Sequence, residues 1–330
     1  MIYKALMEII LAASLVQFFP VNAGVVETWA ELPEAGPRTS VSLGGLVAAL
    51  YPSLPLVDNF TAQPPEKINP QSLGVITAAA TALVVDATSG AILFEKNAEE
   101  PRSIGSMTKL MTALIFLSDQ PDLNTQVSLV QSDLREGGRQ HIPIGKVVTA
   151  RDLLLASLVS SDNSATAALV RLSGSSESDF TTRMNEKAAA IGMVNTTFAD
   201  PTGLSPDNRS TAPDLVVLLR AALQDENLRL ATEQASATIT DADGRVYQLE
   251  NTNELLNGFI NQAPYKIIGG KTGYLPEAGY CLGIEATKDE AKNIFVIVLG
   301  SDSVTGRLRD VKALTLWTYQ NYSWSDGVLE

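Results

Sequence analysis

The sequence predicts an α+β fold in which strands from the two ends of one domain share an antiparallel sheet around a block of helices. Three observations carry this. Two short runs rich in Val, Ile, Leu and Phe lie between residues 82 and 95. Segments of helical period fill residues 106–224, and two further strand-length apolar runs lie between residues 279 and 299.

Residues 82–86 and 91–95 are joined by residues 87–90, which are turn chemistry, so the pair reads as a β-hairpin. From Ser106 the period changes: Met107, Leu110, Met111, Leu114 and Ile115 recur at helical spacing until Pro121. Thr149, with Asp152 three residues on, matches a capping box and opens a helix through Val159. Residues 161–164 interrupt, residues 165–172 resume as helix, and residues 177–191 form another, stopped at Gly192. Residues 210–224 supply one more. Residues 279–285 and 293–299 read as strands with a charged turn over 286–292, and residues 310–322 read as a closing helix.

The chain has 330 residues, of which 45% are hydrophobic and 18% charged, the composition of a folded protein. Its formal net charge of −13 argues against nucleic acid as a ligand, because phosphate binding needs a basic footprint. Cys281 is the single cysteine, which excludes an intrachain disulfide and a Cys-rich zinc site. His141 is the single histidine, which excludes a multi-His metal site. Cys281 reads as a buried strand residue and His141 as a surface loop residue. No cofactor, metal or protein partner is expected.

Residues 1–23 read as an export signal, with Lys4, an apolar stretch over 5–21, and small residues up to Ala23. Glu8 and Gln17 interrupt the stretch, so an uncleaved N-terminal anchor is the alternative. Residues 24–75 hold seven of the 16 prolines and read as a spacer, with the apolar piece 43–50 as a helical turn or a docking segment. The catalytic domain is expected over 76–322 and a short tail over 323–330. That end shows no basic amphipathic stretch.

Three motifs carry chemistry. Ser106 and Lys109, three residues apart at the start of a helix, share a face. A serine hydroxyl needs a base, and a desolvated lysine can be that base. The helix N-terminus adds free N–H groups where negative charge would develop. Ser161, Asp162 and Asn163 break a helical pair and project from a loop, offering a proton relay and an amide that both donates and accepts. Lys271, Thr272 and Gly273 lie on a strand edge suited to an extended peptide ending in a carboxylate. Each also has a plainer reading as a capped helix, an N-cap or a glycine turn. Their order and contexts together favour chemistry, since S-x-x-K with S-D-N and K-T-G is a known set.

On these motifs the chain resembles the serine D-alanyl-D-alanine carboxypeptidases, the low-molecular-mass penicillin-binding proteins. The likeness extends over roughly residues 80–320, including residues 85–97, 200–204, 251–256 and 278–282. It implies a β-lactamase/transpeptidase-like fold: a five-stranded antiparallel sheet flanked by helices, plus a helical subdomain. By position it implies Ser106 as nucleophile, Lys109 as base, Ser161 as proton relay and Asn163 as holder of a substrate amide. Lys271, Thr272, Gly273 and Arg307 would recognise the terminal carboxylate, and the backbone N–H groups of Ser106 and Tyr274 would form the oxyanion hole. The implied substrate is a peptidoglycan stem peptide, the implied inhibitors are β-lactams, and the implied place is the cell envelope, in the periplasm or on the outer face of the cytoplasmic membrane.

Three departures from the family pattern stand out. Asp162 replaces the usual glycine of the middle motif, Pro213 stands where many members have an arginine, and nothing in residues 323–330 is expected to match the common C-terminal β-domain and amphipathic anchor. Readings other than carboxypeptidase are a DD-endopeptidase cutting cross-links, a class A-like β-lactamase and a non-catalytic wall-binding protein. The β-lactamase lacks support because no Glu-x-x-Leu-Asn segment follows Asn163. The wall-binding protein rests on Pro213 alone.

Overall fold

The computed structural model describes residues 63–325. The expected export signal, most of the spacer and the end of the tail lie outside the described residues.

The strands used below are β1 (Glu66–Lys67), β2 (Thr81–Asp86), β3 (Ile92–Lys96), β4 (Tyr265–Leu275), β5 (Gly279–Lys288), β6 (Lys292–Ser301) and β7 (Tyr322–Ser323). Five of them form one antiparallel sheet in the order β4-β5-β6-β2-β3. The order places the N-terminal hairpin beside the C-terminal strands, as the sequence predicts. The central strands are buried on both faces, and alternate residues serve different cores. Ala82, Val84, Ile284 and Val296 face one apolar cluster, while Leu83, Val85, Phe295 and Ile297 face the other.

Seven helices cover the two faces among the described residues: α1 (Lys109–Ser118), α2 (Ala150–Leu158), α3 (Asn163–Leu172), α4 (Glu177–Ala190), α5 (Ala212–Gln224), α6 (Glu226–Glu233) and α7 (Val304–Asn321). Helix α7 contributes Val311 and Leu314 to the first cluster. Helices α1 to α6 build the second, with Leu110, Leu153, Leu169, Phe180, Leu219 and Leu228 fully buried. Burying each such side chain contributes about 1.5–3 kcal/mol. The Thr149–Asp152 capping box forms as expected: the Thr149 hydroxyl accepts from the Asp152 N–H and the Asp152 carboxylate accepts from the Thr149 N–H.

Four features differ from the sequence expectation. The charged turn is shorter than residues 286–292, because β5 and β6 stay paired out to Lys288 and Lys292 and only the tip turns, with Asp289 and Glu290 in the left-handed region. Helix α7 starts at Val304 instead of residue 310, because the Ser303 hydroxyl caps it by accepting from the Gly306 N–H at 3.0 Å. A hairpin of Ser236–Thr240 with Val246–Glu250, and helix α6, lie where no element was read. Residues 63–75, read as spacer, pack on the body. Strand β1 pairs with β7, and Trp317 Nε1 donates to Ser72 Oγ at 2.7 Å. The first tail residues are also engaged: Ser323 lies in β7, and Trp324 Nε1 donates to the buried carboxylate of Asp86.

Candidate active site

A cleft of about 450 Å³ opens where β4 meets the turn that precedes α1. Residues Gly105–Thr108 form a 3-10 turn running straight into α1, so Ser106 sits one turn ahead of the α-helix and Lys109 is its first residue. Gly273 lets β4 lie flat on this turn, because a Cβ there would fall inside contact distance of the Ile104 carbonyl.

The sequence motifs converge. Lys109 Nζ lies 2.9 Å from Ser106 Oγ and 2.6 Å from Asn163 Oδ1, and it also donates to the Thr202 carbonyl. Lys271 Nζ lies 3.0 Å from Ser161 Oγ. Ser161 stands in the loop between α2 and α3 with φ of 61°, a left-handed conformation that turns its side chain off the helical path. Thr272 Oγ1 and Thr252 Oγ1 share a 2.6 Å hydrogen bond. Arg307, in the first turn of α7, donates to the carbonyls of Gly273, Cys281 and Thr252. Its side chain borders the cleft beneath Tyr280, which stacks on Tyr274 with ring centroids 4.4 Å apart.

Burial sets the protonation states. Desolvation pushes the Lys109 amine down to about 7, against the attraction of Asp200 and Asp162. The Lys271 amine is pushed well below its ordinary value by desolvation, with repulsion from Lys109 and Arg307 in the same direction. Burial also lowers Arg307. Two buried amines thus flank two hydroxyls, and a Lys109 amine lowered to about 7 is substantially neutral near neutral pH.

Asn163 Nδ2 donates to the Gly137 carbonyl at 2.8 Å, so one of its two amide N–H groups is used within the protein. His141 lies in a loop, as expected, and is half-buried. Its side chain is 13% exposed, with Nδ1 3.6 Å from Asp162 Oδ2, because the loop before Pro143 folds back over the start of α3. Cys281 is buried in β5, as expected, and burial raises its thiol to about 11.

Asp162, in place of the family glycine, is fully buried and does two jobs. Its Oδ1 accepts from the Ala165 N–H as the N-cap of α3, and its Oδ2 accepts from the His141 N–H at 2.7 Å. Pro213 occupies the first turn of α5 and does not border the cleft.

Sequence reasoning missed three contributors. Thr252 braces Thr272. The Thr202 carbonyl holds Lys109, and Asp200 shapes that turn. Desolvation pushes the Asp200 carboxyl up, but hydrogen bonds from the Thr202 hydroxyl and the N–H groups of Ser205, Thr202 and Gly203 outweigh it and hold the group below its ordinary value. An Asp two residues before Thr-Gly is a recognisable Asx-turn signal, and residues 200–204 carry it.

Fold and site define a serine peptidase of the penicillin-binding type. A family model described as D-alanyl-D-alanine carboxypeptidase matches residues 66–303, and the chain belongs to that family. The chain is 33% identical over 275 residues to a D-alanyl-D-alanine endopeptidase of Pseudomonas aeruginosa, covering 82% of this chain and 86% of that one. It is 28% identical to the D-alanyl-D-alanine carboxypeptidase DacF of Bacillus subtilis, over 74% of this chain and 63% of that one. Among solved structures, a Streptomyces DD-transpeptidase superposes with a TM-score of 0.69 at 28% identity, covering 76% of this chain and all of that one.

Proposed function

We propose that the protein removes the terminal D-alanine from peptidoglycan stem peptides through an acyl-enzyme on Ser106. The observation that carries this is the 2.9 Å contact between Ser106 Oγ and a buried Lys109 amine lowered to about 7. Lys109 takes the Ser106 proton as Oγ attacks the carbonyl carbon of the D-alanyl-D-alanine bond. The oxyanion is held by the backbone N–H groups of Ser106 and Tyr274. The C–N bond then breaks, and Ser161, bonded to Lys271, relays to the leaving amine the proton that Lys109 took from Ser106. Water hydrolyses the ester and frees Ser106. Asn163 holds a substrate amide, while Lys271, Thr272 and Arg307 bind the terminal carboxylate, with Gly273 allowing the close approach. β-Lactams acylate the same hydroxyl. The working place is the cell envelope, on the periplasmic or outer side of the cytoplasmic membrane.

One second reading has specific support: the Pseudomonas relative, matched over 82% of this chain, is an endopeptidase by name. A cross-link cleaved by the same steps releases a longer amine in place of D-alanine. Incubation with a pentapeptide monomer and with a cross-linked dimer separates the two. Release of D-alanine from the monomer supports the first reading, cleavage of the dimer alone supports the second, and neither product overturns both.

A further inference from the structure

The loop over residues 135–142 borders the cleft and is pinned on both sides of its tip. The Arg135 N–H donates to Ser164 Oγ at 3.1 Å. The Gly137 carbonyl accepts from Asn163 Nδ2 at 2.8 Å, and the His141 N–H donates to Asp162 Oδ2 at 2.7 Å. Gln140 Nε2 closes the far side on the Ile142 carbonyl at 2.9 Å. Gly137 and Gly138 are both left-handed, and a Cβ on Gly138 would press within 3.1 Å of Asn163 Nδ2. The backbone is therefore held tightly against the start of α3, and Arg139 is the residue presented between these anchors, bordering the cleft.

Arg139 itself has no partner. Among the described residues it is the one arginine that makes no hydrogen bond, ion pair or ring contact. In a chain of net charge −13 an unpaired, exposed guanidinium carried by an anchored backbone at the mouth of a cleft is a feature that calls for an anion. The element that carries it matters too. Lys271 and Thr272 lie on β4 and Arg307 on α7, whereas Arg139 comes from the wall built by α3 and its loop. A planar fork of donors suits a carboxylate best.

We propose that Arg139 is a specificity residue that binds a second carboxylate, carried by the acyl-side portion of the peptide N-terminal to D-alanyl-D-alanine. This rests on the acyl-transfer reading above. The clip from Asp162 to His141, which glycine at position 162 could not make, is what holds the loop in register for this contact.

The test uses two probes, Nα,Nε-diacetyl-L-lysyl-D-alanyl-D-alanine and its Nα-acetyl-Nε-succinyl counterpart, which adds one carboxylate. Each is used to slow acylation of the full chain by a fluorescent penicillin, so the readout does not depend on which peptide bond the enzyme turns over. The succinyl peptide is expected to protect at about fivefold lower concentration than the diacetyl peptide, the range of a partly exposed ion pair, and the ratio should shrink in 0.5 M salt, taken as roughly a Debye length of a few ångströms. The ratio is read within each variant, so a general loss of activity or folding cancels. Arg139→Gln should bring it to about one, and Arg139→Lys should restore part of it. Equal protection by both peptides in the wild type, or an unchanged ratio in Arg139→Gln, overturns the assignment while leaving acyl transfer intact. A wild-type chain that penicillin does not acylate overturns both.

Discussion

Lowering the pH should switch off acylation along a limb set by Lys109. In the proposed mechanism the free amine acts as the base, and its value of about 7 makes it half neutral near that pH. By the titration relation, the neutral fraction is about 10% at pH 6 and about 1% at pH 5, and above about 90% at pH 8. The second-order rate constant for acylation by a fluorescent penicillin should therefore rise roughly tenfold per pH unit below 6 and bend near 7. The physical origin is burial: the Lys109 side chain is fully enclosed, and its partners are a hydroxyl, an amide oxygen and a carbonyl, none of which carries a charge. Rapid-quench labelling followed by gel fluorescence measures the rate at each pH. A bend near the ordinary lysine value of 10.5, or a rate independent of pH from 5 to 9, would refute the assignment of Lys109 as a desolvated base.

The same burial gives a stability signature. Lys109 binds fewer protons when folded than when unfolded between about pH 7 and 10.5, so its cost is full below 7 and fades above. The melting temperature of Lys109→Met minus that of the wild type should thus be larger at pH 6 than at pH 9, and an equal gap contradicts this. Gly273→Ala should abolish penicillin labelling and cost about 1–3 kcal/mol in denaturant unfolding, since the methyl group meets the Ile104 carbonyl; normal labelling would show that β4 need not lie on the Ser106 turn. Asp162→Ala should cost about 1–2 kcal/mol through the lost cap of α3 and slow acylation by releasing Asn163, whereas an effect on stability alone would separate the two jobs. Cys281, buried with its thiol raised to about 11, should resist iodoacetamide at pH 8 until urea unfolds the chain.

Much of this was legible because its signals are local. The hairpin of β2 and β3, the capping box of α2 and the three motifs each lie within a few residues, and turn chemistry or spacing marks them. The strands of β5 and β6 were found but cut short, since Thr287, Lys288 and Lys292 look like turn residues and are held in the ladder by their partners across it. The early start of α7 escaped because Gly306 argues against helix, while the cap at Ser303 and the burial of Arg307 decide otherwise. Of the site, the residues with reactive side chains were readable. The Thr202 and Gly137 carbonyls were not, because any residue supplies a carbonyl and only tertiary structure selects which ones meet Lys109 and Asn163. The partial burial of His141 was unreadable for the same reason: its backbone N–H is held by Asp162, twenty-one residues away.

The central claim is a covalent bond to Ser106, and intact-mass spectrometry after incubation with benzylpenicillin tests it most directly. A mass increase of one penicillin per chain is expected, located after digestion on the peptide containing Ser106 and lost in Ser106→Ala. An unmodified mass in a folded wild-type chain, or an adduct that persists in Ser106→Ala, would contradict it.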